Sequence, residues 1–196
     1  MKKSNHIILI VATLLLCATS VYSQSLRESL IVQARQNADA ILKHDYETSV
    51  RFMYPAIVEM MGGAQNTIAL VKASMEEMKE GGSTIEAITL GKPSIIVTEG
   101  NEDVAIVQTE MTIIVDEKMV VVNSYLVAVT QNLGENWYFF DGAQMPEARL
   151  SQIYPRLVAS VKIPERKNNV VDDINESFRR IEEKEGKPIK QVLAER

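Results

Sequence analysis

VAIVQTEMTIIV at residues 104–115 and MVVVNSYLVAVT at residues 119–130, joined by Asp116-Glu117-Lys118, decide the fold. Both runs are rich in β-branched residues and are bounded by polar turn residues, which predicts two long antiparallel strands. A two-residue loop at Glu117-Lys118 pairs Val115 with Val120, Ile113 with Val122 and Met111 with Ser124. That face is mostly apolar and is expected to meet helices. The opposite face pairs Thr112 with Asn123 and Glu110 with Tyr125, a polar middle inside an apolar rim of Ile106, Ile114, Val121 and Val127. Side chains alternate along a strand, so a slip of one residue would exchange the two faces.

The neighbouring segments extend this hairpin into a meander. Thr84 to Leu90 and Ser94 to Thr98 read as strands separated by a turn at Gly91-Lys92-Pro93. On the other side, Leu133-Gly134 turns the chain into a strand from Trp137 to Phe140. Its register pairs Thr130 with Trp137 and Ala128 with Phe139, so Asp141 faces the same way as both aromatics, toward the helices.

Ahead of the strands the apolar period is helical. Leu26, Leu30, Ala34, Ala38 and Ile41 form the first stripe, and Asp45 is placed to cap a short second helix carrying Tyr46, Val50 and Met53. Pro55 ends or kinks that helix. A third runs from about Ala64 to Lys79 with Ile68, Val71, Met75 and Met78 on one side, and Gly81-Gly82 stop it. After Asp141-Gly142 a helical piece from Glu147 to Val161, interrupted by Pro155, carries Leu150, Ile153 and Leu157. Past Pro164 the chain is dense in charge, with a narrow helical stripe of Val170, Ile174, Phe178 and Ile181. The order predicts an α+β fold, with N-terminal helices packed on a curved antiparallel sheet and a C-terminal helical appendage.

The helix break Lys43-His44-Asp45-Tyr46 and the aromatic last strand Asn136-Trp137-Tyr138-Phe139-Phe140-Asp141-Gly142, taken with this element order, resemble the nuclear-transport-factor-2-like superfamily, a cystatin-like cone. The resemblance covers about residues 25–142 and suits an exported bacterial member. It implies a pocket between sheet and helices and a sheet face used for dimers. The superfamily holds isomerases, cyclases, dehydratases and members without activity, so the likeness selects no function. The chain departs from it by adding Met145 to Arg196, which bears on whether the cone's mouth is open or covered.

Residues 1–23 read as a signal peptide, with Lys2 and Lys3 as its basic start, Ile7 to Leu16 as its apolar run, and Val21 and Ser23 before the cut. An apolar run of about ten residues is too short to span a bilayer. Cys17 follows Leu14-Leu15-Leu16, and the large Leu16 disfavours a lipoprotein signal. The expected mature chain is a cone-like domain over residues 24–164 and a charged appendage over residues 165–196, periplasmic or extracellular, with no membrane span. It has no thiol, so no disulfide, thiolate nucleophile or cysteine metal ligand is expected. Removing Lys2 and Lys3 leaves 19 of the 21 basic residues against 26 acidic ones, a net charge of about −7, which argues against nucleic-acid binding. With His44 as its only histidine, the mature chain is expected to hold no metal, and no cofactor motif is present.

Asp141 is the candidate for chemistry. At the mouth of an apolar cone it would serve as a general base, as an aspartate does in ketosteroid isomerases of the superfamily; alternatively it caps the turn that follows an aromatic strand. His44 beside Asp45 reads either as a catalytic pair or as a polar interhelix turn. Tyr54, Met60, Met75, Met111, Trp137, Phe139 and Asp141 are the expected ligand-pocket residues, the methionines serving either an adaptable pocket or core filling. Glu110, Thr112, Asn123 and Tyr125 form either a homodimer face or an ordinary solvated sheet face. The C-terminal stripe would dock on a protein partner or fold back. Three functions follow: an exported non-enzymatic domain that binds a small apolar ligand or a protein partner, an isomerase- or cyclase-like enzyme with Asp141 as base, or a homodimeric assembly protein.

Overall fold

In a computed structural model, residues 24–116 and 118–171 are described, and the long hairpin is their centre. Strand β3 (Glu102–Val115) pairs along its whole length with β4 (Lys118–Thr130). The register differs from the expected one: Val115 pairs with Lys118, Ile113 with Val120, Met111 with Val122 and Thr109 with Ser124. Asp116 adopts a positive φ of 49°, which a short polar side chain tolerates and a tight hairpin loop needs, so the loop starts one residue early. Every partner moves by two residues, and two is the side-chain period of a strand, so each residue keeps its expected face.

Each edge of the hairpin carries two strands end to end. β1 (Ser83–Pro93) pairs with β3 from Val115 to Val107, and β2 (Val97–Glu99) continues the same edge at Glu102–Val104. Gly91-Lys92-Pro93 therefore do not turn the chain. Leu90 lies opposite Thr109 and Pro93 opposite Val107, so one extra residue is absorbed as a bulge. On the far edge β5 (Tyr138–Asp141) pairs Ala128 with Phe139, as expected, and Leu126 with Asp141. Beside it β6 (Lys167–Val171) pairs with Met119–Asn123 of β4. The helical stripe expected to begin at Val170 thus begins in a strand, because β4 offers unpaired backbone groups that a passing extended segment can satisfy. Ile174, Phe178 and Ile181 lie outside the described residues. The described chain is α+β, with an open antiparallel sheet of six strands.

Helices cover both faces of the inner half of the hairpin. Against one face, α1 (residues 24–42) packs Leu26, Leu30 and Ala34 on Ala105, Val107, Ala128, Trp137 and Phe139. The contact is keyed by polar groups: the Trp137 indole donates to Ser29 Oγ (3.0 Å), and Gln33 accepts from Trp137 N (2.8 Å) while donating to the carbonyls of Gly134 and Glu135. Gly134 has φ of +81°, and a side chain there would press into Leu26 and Ser29. Against the other face, α5 (Glu147–Ile153) and α6 (Pro155–Ser160) pack Leu150, Tyr154 and Leu157 on Val104, Ile106, Tyr125, Val127, Val129 and Phe140.

The second covering corrects an expectation. Tyr125 does not face a partner surface; it is buried, and its hydroxyl donates to the carbonyl of Gly142 at 2.9 Å. Ile106 and Val127, expected as an apolar rim, lie under the same helices. Alternation shows that this face is half apolar, but it does not show that a later segment returns to cover it.

Candidate functional site

Three short elements bring the site together. Asp45 caps α2 (Tyr46–Arg51) by accepting from Thr48 N (3.1 Å), and these hydrogen bonds hold its carboxyl below the usual range. His44 sits in the left-handed region (φ 56°), with Nδ1 3.2 Å from the Tyr46 hydroxyl, so His44-Asp45 is a helix-joining turn. From α2 the chain runs through Phe52–Tyr54 along the free edge of β5. Phe139 N donates to Phe52 O (2.7 Å), and Tyr54 N donates to Phe139 O (3.1 Å). Pro55 then opens α3 (Pro55–Met60), since its missing N–H and fixed φ suit the first turn of a helix. After Gly62-Gly63, α4 (Ala64–Glu80) packs against α2 and β1; its stripe Ile68, Val71, Met75 and Met78 is half-buried.

A cleft of about 510 Å³ lies between α1–α3 and the β4–β5 end of the sheet. Ile41 enters from α1, Met53, Ile57 and Met61 from the α2–α3 side, and Leu126 and Phe139 from the sheet. Met145 also lines it, and Met60, 79% exposed, stands at the mouth. Thioethers and aromatic edges make these walls adaptable to ligand shape.

Four polar side chains line this apolar space: Asn37, Ser49, Asp141 and Gln144. Asn37 and Ser49 are only 8% and 9% exposed, and neither side chain makes a hydrogen bond among the described residues. Among the described residues no wholly buried side-chain nitrogen or oxygen lacks a partner, so the polar atoms of both remain accessible. The amide and the hydroxyl thus line one apolar cleft with their hydrogen-bonding capacity open to water or to an occupant. Asp141 is partly engaged. Its Oδ1 accepts from Ser124 Oγ and from Ala143 N, both at 3.0 Å, and so caps the short 3₁₀ turn Gly142–Gln144. Its Oδ2 accepts no hydrogen bond from the described residues.

Of the expected pocket residues, Met60, Phe139 and Asp141 line this cleft. Trp137 is buried against Ser29 and Leu26 in the core instead. Met75 on α4 and Met111 on β3 lie away from the cleft, because each belongs to an element that leaves the β4–β5 end. Tyr54 turns to the opposite face of the sheet, where its hydroxyl donates to Glu102 Oε1 (2.9 Å). Tyr154 donates to Glu102 Oε2 (3.1 Å) and Gln131 Nε2 to Oε1 (2.7 Å), so one carboxylate clasps three elements. Burial, then the Glu102 charge, pushes the Tyr154 hydroxyl far above its ordinary value, and Tyr54 shifts upward mainly through burial.

Asn37, Ser49 and Gln144 were not expected. Asn37 had a legible signal, since it sits three residues after Ala34 and four before Ile41, a polar residue within an apolar helical stripe. Ser49 and Gln144 carried none. Among the proposed dimer residues, Glu110 is exposed, Thr112 is half-buried, and Asn123 lines a separate polar cleft of about 530 Å³ beside residues 162–167. Among the described residues no group of three or more metal-ligating side chains gathers, and no helix is long and apolar enough to cross a membrane. No protein-family model, curated protein or solved structure matches the chain.

Proposed function

We propose that this chain is an exported binding domain of the cone type that holds a small apolar ligand in the Met-lined cleft and does not transform it. The observation that carries this is the pairing of apolar walls with the nearly buried, unpartnered side chains of Asn37 and Ser49. Ligand sites have this composition: mostly apolar lining, with a few convergent polar groups that orient the occupant. Turnover of the isomerase kind has less support. Asp141 commits one oxygen to its turn, and among the described residues no second ionisable side chain lines the cleft to act as acid or electrophile. Export rests on residues 1–23, which lie outside the described residues.

Native mass spectrometry of the chain purified gently from its exported fraction tests both parts, since a carried ligand would appear as an added mass released on denaturation. Titration with the neutral apolar probe N-phenyl-1-naphthylamine supplies a second readout. Saturable fluorescence enhancement is expected. Met60→Gln with Met61→Gln, which makes the mouth polar at nearly constant size, is expected to weaken binding about tenfold, or ~1.4 kcal/mol. Probe binding that never saturates, or that ignores the double substitution, would remove the cleft from consideration.

A further inference from the structure

Taking the cleft as a ligand site, we infer that its occupant is a cationic amphiphile: an apolar body bearing an ammonium-type head seated at Asp141. The inference rests on charge. Among the described residues Asp141 is the only ionisable side chain lining the cleft, and no lysine, arginine or histidine of theirs lines it. Its Oδ1 is held by Ser124 and Ala143, which fixes the carboxylate in place, while Oδ2 takes no bond from the described residues. Asn37, Ser49 and Gln144 add neutral oxygens that accept the remaining protons of an ammonium group.

An anionic head in the same place would face the Asp141 carboxylate without a counter-charge, within walls whose low polarity strengthens repulsion. A neutral alcohol satisfies the hydrogen bonds but gains no charge pairing. Met53, Met61, Leu126 and Phe139 accommodate the body without dictating its shape, so head-group selection falls to Asp141.

The experiment compares decylammonium, 1-decanol and decanoate as competitors of the neutral probe at pH 7.5 and low salt, below their micelle concentrations. The ammonium is expected to compete about tenfold better than the alcohol, and the carboxylate worse than both. Asp141→Asn retains an oxygen for Ser124 and Ala143, and it is expected to erase the advantage of the ammonium over the alcohol. Raised salt is expected to narrow the same gap in the unaltered protein, a control that needs no variant. If none of the three competes, the cleft does not bind ligands and the proposed function fails. If all compete equally, if decanoate wins, or if the preference survives in a folded D141N, the head-group inference falls and apolar binding stands.

Discussion

The two halves of the β3–β4 hairpin have similar composition and different fates. In the inner half, Val104 to Val107 and Val127 to Thr130 are all buried, on both faces. In the outer half, Met111 to Val115 and Val120 to Val121 are only half-buried, although they are as apolar, and Met119 and Val122 alone among the described residues there are buried. The difference comes from what is laid on the sheet. α1 and the α5–α6 pair clamp the inner half from opposite sides. The outer half has α4 approaching β1 at its margin, and β6 beside it on the edge. Strand propensity thus made one uniform ribbon, and helix placement divided it into a packed root and an open tip. The cleft lies at the root, where its walls are held by core packing.

The sharpest way to break this comparison is to hollow each half. Leu157→Ala or Leu30→Ala, at fully buried root positions, is expected to cost about 2–5 kcal/mol in urea denaturation. Ile113→Ala at the tip is expected to cost roughly half as much, because part of its surface is already in water. Equal losses would show that the tip is packed as tightly as the root.

Gly142 tests how tightly the root is closed. A Cβ there would overlap the Tyr125 ring, so Gly142→Ala is expected to cost about 1–3 kcal/mol. Tyr125→Phe keeps the ring and removes the bond to the Gly142 carbonyl, a loss of about 1 kcal/mol. If G142A melts like the unaltered protein, the turn is not pressed on the ring.

Alkali distinguishes the α5–α6 side of the root from the α1 side. The Tyr154 hydroxyl titrates higher in the fold than in the unfolded chain, chiefly through burial. A raised folded pKa gives stability that is fully present below the unfolded value of about 10 and is lost as pH rises toward the folded one. Thermal melts are expected to fall above about pH 10, and Tyr154→Phe to flatten that fall. An unchanged alkaline limb in Y154F would assign the loss to other groups.

The smallest effect is expected at Asp45, outside the root. Its folded pKa is depressed by the hydrogen bonds from Thr48, so its contribution is present above the ordinary carboxylate value of about 3.9 and fades as pH falls through the lower folded value. Asp45→Ala is expected to lower the melting temperature slightly near neutrality and not at all in strong acid. A difference that persists at the acid extreme would mean that Asp45 does more than cap α2.

Much of this was legible along the chain because it depends on near neighbours. The helix ends at His44 and Gly81 and the β5 register rest on residues a few positions apart, whereas Pro55, expected to end the second helix, opens α3 four residues after α2 has stopped. The β3–β4 pairing missed by two residues, since Asp116 took the left-handed conformation and moved the loop. The bulge at Gly91 read as a turn because glycine and proline serve both, and only the partner strand decides between them. At the site, Met60, Phe139 and Asp141 were found through strand parity and apolar patterning. Ser49 and Gln144 were not, because nothing local marks a residue whose importance lies in what faces it.

By itself the sequence determined most element types, their order and the face each residue of the central hairpin takes, all consequences of fixed backbone periods and turn chemistry. Only the tertiary structure decided that residues 147–160 return over Tyr125, that residues 167–171 join the sheet, and that Asn37 and Asp141 line one cleft. Those outcomes depend on contacts between residues far apart in the chain, where many segments are apolar enough to compete for the same surface and three-dimensional packing selects one.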